Sequence, residues 1–262
     1  MKLLCVGEAF VDQYFIGTTT RVSPECPIPV VRVESTLRLP GGAANVNANL
    51  AGWGVEVHSI TAPAGIKNRL MVGDYQLARW DEYDSCPPFS QINLNSLPYS
   101  TEFDAVVISD YGKGFFDSLS LDWLERLQDH PFFIDTKGDP LRWQNFSNTT
   151  FFPNAKEFTQ YREAYNSLAS VVYKRGADGM EYLVKGQPTY FEKARSTRPV
   201  SVIGAGDTVL SAFVFNYLQY GNVRSALAFA SAAAAAAVSR SYTTAPALAE
   251  VESYLAHEMK EA

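Results

Sequence analysis

The chain has few of the residues that carry redox and metal chemistry. It holds three cysteines and three histidines in 262 residues. Cys5, Cys26 and Cys86 are odd in number, widely spaced and without a Cys-x-x-Cys pair, which suits indifferent thiols in a reducing compartment. His58, His130 and His257 are scattered outside any motif and read as surface residues, not ligands. Excess basic charge is also missing. A formal net charge of −6 argues against a broad nucleic-acid or acidic-membrane surface, though a local basic pocket stays open. No apolar run reaches the length of a membrane span; the longest, 226–238, is mostly alanine and reads as a tightly packed buried helix. The opening Lys2-Leu3-Leu4-Cys5-Val6-Gly7 is interrupted too soon for a signal peptide. These absences lead to the expectation of a soluble, cytoplasmic protein without membrane or nucleic-acid partners. What is present, 47% hydrophobic and 19% charged residues, can bury the core of one large α/β domain or two small ones.

The most informative residues are Gly204-Ala205-Gly206-Asp207. They follow a short apolar stretch and open a periodic helix, in which Val209, Leu210, Phe213, Val214, Tyr217 and Leu218 recur at helical spacing and Gly221 stands as a cap. The glycines let backbone approach a bound group, and free amides point outward at the positive end of the helix dipole. A carboxylate beside that cradle suits phosphoryl transfer to a hydroxyl: the amides hold developing charge and Asp207 takes the proton. A Gly-rich helix start capped by Asp also occurs as plain structure.

From about residue 104 the chain alternates strands and helices, with polar residues at strand ends. The strand 105–108 leads to Asp110 and Lys113, 132–134 to Asp135 and Lys137, 151–152 to Asn154 and Glu157, and 171–173 to Lys174-Arg175-Gly176. One helix is expected between, carrying Leu121, Leu124 and Leu127. Ligands of an open parallel sheet bind outside the carboxyl ends of its strands, so one continuous site on a doubly wound α/β core is expected. Asp135 reads as structural. Earlier, Leu3–Val6 reads as a buried strand ending before Asp12. Extended segments at Pro29–Val33 and Arg69–Val72, lying within 13–40 and 67–82, read as a small β-sheet lid. Residues 87–98 read as a loop within a single domain, 1–262.

With both Gly41-Gly42-Ala43-Ala44-Asn45-Val46 and Gly204-Ala205-Gly206-Asp207-Thr208 present in this order, the chain resembles the ribokinase (PfkB) superfamily of sugar kinases over nearly its whole length. Within it, Arg21–Val31, Gln76–Asp81, Ser109–Gly114 and Ile134–Gly138 are similar to the D-glycero-D-manno-heptose 7-phosphate kinase domain. The resemblance implies a ribokinase-like fold, ATP and Mg²⁺, and a sugar or sugar-phosphate acceptor. It implies Asp207 as base, the 204–207 amides as anion hole, and Asp12, Gly41, Gly42 and Asn45 at the sugar. Arg79, Asp110, Lys113 and Lys137 follow as further substrate contacts. Asn154 and Glu157 would place magnesium, largely through water, and with Lys174, Arg175, Gly176, Gly179 and Ser231 would serve the nucleotide.

The chain departs from that pattern in places. No acid precedes Gly204, Ser231 stands where an asparagine is usual, and the segments after Thr61 and Glu157 are short, the second leaving room for one helix. A nucleoside, ribose or other small polyol is therefore an alternative acceptor, and an inactive nucleotide-binding regulator is an alternative of another class. The lid's edge strands suggest a possible homodimer.

Overall fold

The computed structural model describes residues 1–89, 103–116, 118–195 and 197–258. Positions 90–98 of the expected loop lie outside the described residues. One sheet runs through the molecule, and its first strand explains the layout. Strand β1 (Lys2–Val22) pairs in parallel with β3 (Glu56–Val72) from Lys2↔Glu56 to Gly17↔Val72. On its other side it pairs with β5 (Ala105–Asp110) as far as Gly7↔Ser109. There β2 (Pro29–Gly42) takes over, antiparallel, from Ala9↔Gly42 to Val22↔Pro29. Both edges of β1 therefore stay hydrogen-bonded along most of its length, which lets 21 residues run on without a break. The expected stop after Val6 does not occur, and Asp12 sits in mid-strand. The stretch after Thr61 likewise continues as one strand out of the core.

Beyond β5 the sheet continues through β6 (Phe132–Thr136), β7 (Thr149–Phe151) and β8 (Ser170–Lys174), all parallel. An antiparallel hairpin, β9 (Met180–Val184) and β10 (Gln187–Glu192), closes that edge. At the far edge β4 (Tyr75–Glu82) pairs antiparallel with β3. The β9–β10 hairpin was not expected. Its signal is there in the two alternating apolar stretches around Lys185-Gly186, both of which take positive φ (48° and 71°) as a tight hairpin turn demands.

Every residue of β5 and β6 is buried, as strands covered on both faces must be. Alternation divides them. Leu3, Cys5, Val107 and Phe133 meet α1 (Ala43–Gly52), α5 (Ala205–Tyr220), α6 (Val223–Val238) and α7 (Leu248–Glu258). Leu4, Val6, Ile108 and Ile134 face the other core, with Phe115, Trp123 and Trp143. The doubly wound α/β architecture is thus present. The alanine run is the buried helix α6, packed along α5, and Gly221 caps α5 in the left-handed conformation (φ 65°). Leu124 ends α2 (Ser118–Leu124), and Leu127 follows in a single 3₁₀ turn. One expectation fails in detail. Between Glu157 and Ser170 there are two short helices, α3 (Ala155–Gln160) and α4 (Arg162–Ser167), separated where Tyr161 leaves helical geometry at φ −120°.

Candidate active site

Asp207 lies in the first turn of α5, 5% exposed, at the carboxyl side of the sheet. Its Oδ2 accepts from Asn45 Nδ2 at 3.0 Å and its Oδ1 from the Tyr111 hydroxyl at 2.7 Å. These residues come from α1 and from the loop after β5, so α5, the glycine-turn helix and a strand-end loop meet at one carboxyl. Burial pushes the Asp207 pKa up to about 6; the two hydrogen bonds and Lys137 only partly offset it, and Asp135 adds to it. Burial also raises Tyr111 well above the usual phenol range, with the Asp207 charge next, so its hydroxyl stays a donor. Gly204 caps α5 in the left-handed region (φ 77°), where a Cβ would press on Thr243 and Asn45. The Ala205 amide turns back to Val202 C=O at 3.3 Å. The helix leaves the amides of Gly206 and Asp207 without internal acceptors.

A cleft of about 1050 Å³ opens in front of this turn. Asp135, Lys137, Asn154, Lys174, Arg175, Gly176, Gly179 and Ser231 line it together with 204–207. Asp135, expected to be structural, stands in the cleft between two cations, Lys137 Nζ (2.8 Å) and Lys174 Nζ. Burial alone would raise its pKa; the two ammonium groups reverse this and hold it at about 2. Burial opposes the Lys137 charge too, yet Asp135 and Glu157 keep that ammonium above the ordinary lysine range. Asn154 and Glu157 form a capping box on α3: Asn154 Oδ1 accepts from the Glu157 amide (3.0 Å), and Glu157 Oε2 from the Asn154 amide (2.8 Å). Glu157 Oε1 accepts from Asn154 Nδ2 and from Lys137 Nζ (2.8 Å). Ser231 Oγ donates to Lys193 C=O and accepts from the Arg195 amide, fixing one cleft wall.

The lid face lies beyond Tyr111, whose ring is 5.2 Å from Lys67 Nζ. Strand alternation puts Phe10, Asp12 and Tyr14 of β1 on one face with Lys67 and Arg69 of β3 and Arg79 and Asp81 of β4. Tyr14 ties this face to the core through Thr243 Oγ1 at 2.9 Å. Asp12 is 4% exposed; its Oδ1 holds Arg69 at 2.6 Å and its Oδ2 lies against Gly41, where a Cβ would come within 2.5 Å. Gly42 follows as the N-cap of α1. Three expected substrate residues are committed elsewhere. Asp110 is 1% exposed, and its oxygens accept from the Gly112 amide (2.9 Å) and the Thr136 hydroxyl (2.7 Å), so it shapes the strand end. Arg79 is exposed on the edge strand and forks onto Asp81 at 2.9 and 2.7 Å. Lys113 is paired with Asp84 at 2.5 Å.

Sequence reading missed Tyr111, Arg69 and Glu8. Glu8 is fully buried and collects the amides of Tyr111 (2.7 Å), Lys113 (2.8 Å) and Phe115 (3.0 Å), which sets the loop that aims Tyr111 at Asp207. An acid just after the apolar run Leu3–Val6 was the available signal.

The profile of the pfkB family carbohydrate kinases matches residues 145–250, which span β8, the cleft turn and the whole of α5 and α6. The Bifunctional protein HldE of Vibrio parahaemolyticus is 30% identical over 304 residues, covering 95% of this chain. The carbohydrate-kinase profile accounts for the C-terminal part of the chain, and the similarity to HldE extends over nearly all of it. The chain spans 62% of the length of that relative and of the 28% identical HldE of Yersinia pseudotuberculosis. Its fold is that of ribokinase-like enzymes. Phosphofructokinase-2 from Escherichia coli in complex with substrates and products superposes with a TM-score of 0.75 at 16% identity, covering 98% of this chain and 99% of the other. Arabidopsis thaliana ribokinase complexed with ribose and ATP gives 0.71 at 17%, covering 97% and 98%.

Proposed function

We propose that the chain is a carbohydrate kinase of the pfkB family and transfers the γ-phosphoryl group of ATP to a hydroxyl of a sugar or sugar phosphate, of the heptose 7-phosphate type implied by the sequence resemblance. The observation that carries this is the Asp207 carboxyl: buried, poised near pKa 6, and set at the open end of α5 where cleft and lid face meet. Asp207 accepts the proton of the acceptor hydroxyl as that oxygen bonds to the γ-phosphorus. The bond to the bridging oxygen breaks and ADP departs. The amides of Gly206 and Asp207 and the helix dipole stabilise the charge on the transferring group. Asn45 and Tyr111 hold the two carboxylate oxygens, leaving each a lone pair for the hydroxyl.

The cleft's chemistry suits a nucleotide. Its lining combines small apolar side chains (Pro199, Val202, Ala234, Ala235, Val238), suited to a base, with Lys137, Lys174 and Arg175, suited to phosphates. Magnesium fits only through water. Both Glu157 oxygens are already hydrogen-bonded, and among the described residues no group of three His, Cys, Asp or Glu is placed to hold a metal. Carried on the nucleotide beside Glu157 and Asn154, Mg²⁺ would neutralise phosphate charge.

The neutral-acceptor reading draws support from one observation: Arg79, Lys113 and Lys137 all hold carboxylates already. A homodimer through the lid draws support from its exposed Val22, Ile28, Tyr75 and Trp80. The test is ADP release from ATP across a panel of sugars and sugar phosphates. Acceptor-dependent release with at least one of them supports the reading, and none with any would remove it.

A further inference from the structure

The lid face that carries Asp12 and the loop after β5 beside it hold four cations, and three are neutralised by contact. Arg69 has Asp12, Arg79 has Asp81 and Lys113 has Asp84. Lys67 is the exception: among the described residues no carboxylate lies within ion-pair distance of it. Its ammonium is half-buried over the Phe10 ring, 3.8 Å from the centroid, and 5.2 Å from the Tyr111 ring. Burial lowers its pKa, and Arg79 lowers it further, against the pull of Asp12 and Asp81 on the strands beside it. A cation kept in such a place without a contacting counter-ion is a poor device for stability. It is a good one for capturing an anion that arrives.

The distance to the reacting centre defines which anion. Tyr111 bridges the gap, its ring against Lys67 and its hydroxyl 2.7 Å from Asp207, so the ammonium lies within about 11 Å of the base. A sugar that offers a hydroxyl to Asp207 and carries a phosphate at the opposite end of its carbon chain spans a comparable distance, at about 1.3 Å of reach per bond. A neutral sugar has nothing to place there.

We propose that Lys67 is a specificity-determining residue of the acceptor site, binding the terminal phosphate of a phosphorylated sugar while its far hydroxyl meets Asp207. This rests on the kinase reading above. It also reassigns the anion contact expected of Arg79 and Lys113, whose charges are already taken. The Phe10 and Tyr111 rings, meeting edge to face, hold the ammonium in one place before the substrate arrives, so little side-chain freedom is lost on binding.

The test compares heptose 7-phosphate with the unphosphorylated heptose, on the parent protein, Lys67→Met and Lys67→Arg. Methionine keeps the packing over Phe10 and removes the charge. The expected result is a KM for heptose 7-phosphate raised at least tenfold in Lys67→Met, with kcat within threefold and the KM for ATP unmoved. The unphosphorylated sugar should be used equally well by parent and variant, and Lys67→Arg should recover most of the loss. An unchanged KM, or equal losses on both sugars, would overturn the assignment while leaving the kinase reading standing. Should the parent turn over neither sugar, the kinase reading is left to the wider acceptor panel above, and calorimetric binding of heptose 7-phosphate decides for Lys67. Affinity at least tenfold weaker in Lys67→Met supports it; equal affinity, or no binding to the parent, overturns it.

Discussion

Replacing Tyr111 by phenylalanine removes one hydroxyl and little else. The ring keeps its edge contact with Phe10 (centroids 4.8 Å apart) and its place beneath Lys67 and Lys137. What is lost is the 2.7 Å hydrogen bond to Asp207 Oδ1, a bond that favours the ionised carboxylate. Hydrogen bonds to charged groups contribute about 1.5–3 kcal/mol. At 1.36 kcal/mol per pH unit, the Asp207 pKa should climb from about 6 to about 7–8. Only the ionised form can take the hydroxyl proton, so the acid limb of kcat/KM moves up with it. The loss should be roughly two- to tenfold at pH 7 and within twofold at pH 9. The assay is kcat/KM for the acceptor between pH 5.5 and 9.5 on parent and variant. An unmoved midpoint, or a loss of equal size at every pH, would refute the reasoning, because either result separates the tyrosine hydroxyl from the ionisation of Asp207.

Other consequences follow from burial and close approach. The Asp207 pKa is raised in the fold from 3.8 to about 6, so the folded protein binds the proton more tightly and loses stability as pH rises through that range. Asp207→Asn should therefore gain stability relative to the parent between pH 4 and pH 7, by about 3 kcal/mol at most; denaturant melts showing a constant difference over that window would contradict this. Arg69→Met leaves Asp12 buried without its cation and should cost about 3–5 kcal/mol, most of it recovered in the Arg69→Met, Asp12→Asn double variant; urea titration checks both. Gly179 sits at φ 111°, and a Cβ there would come 2.1 Å from the Glu192 carbonyl oxygen. Gly179→Ala should cost about 3 kcal/mol, read as a Tm loss of roughly 6–12 °C, and an unchanged Tm would show that the turn yields freely.

Much of the core could be read because its signals are local. Apolar stretches of strand length ending in Asp, Lys or Asn mark β5, β6 and β8, and helical periodicity followed by glycine marks α5. The Gly204–Asp207 turn and Asn45 were visible as motifs, and the structure brings them into contact. What could not be read depends on partners distant in sequence. The 21-residue run of β1 exists only because β2 replaces β5 beside it after Gly7, and a change of partner leaves no mark on β1 itself. Asp110 and Lys113 are matched by Thr136 and Asp84, which only the fold brings near, whereas Arg79 is taken by Asp81 two residues along its own strand. Tyr111 and Glu8 were passed over for the converse reason. A tyrosine after a strand and a single acid within one have no motif, and their worth appears only when the loop they organise arrives at Asp207.

The measurement closest to the centre of this account is the turnover of Asp207→Asn with ATP and whichever acceptor the parent uses best. Asparagine is nearly isosteric and can still accept from Tyr111, but it cannot take a proton. A fall in kcat of about 10²–10⁴, with both KM values within threefold, is the expected result. A fall of less than tenfold would mean that the proton leaves the acceptor by another route, and the role given to this carboxyl would be wrong.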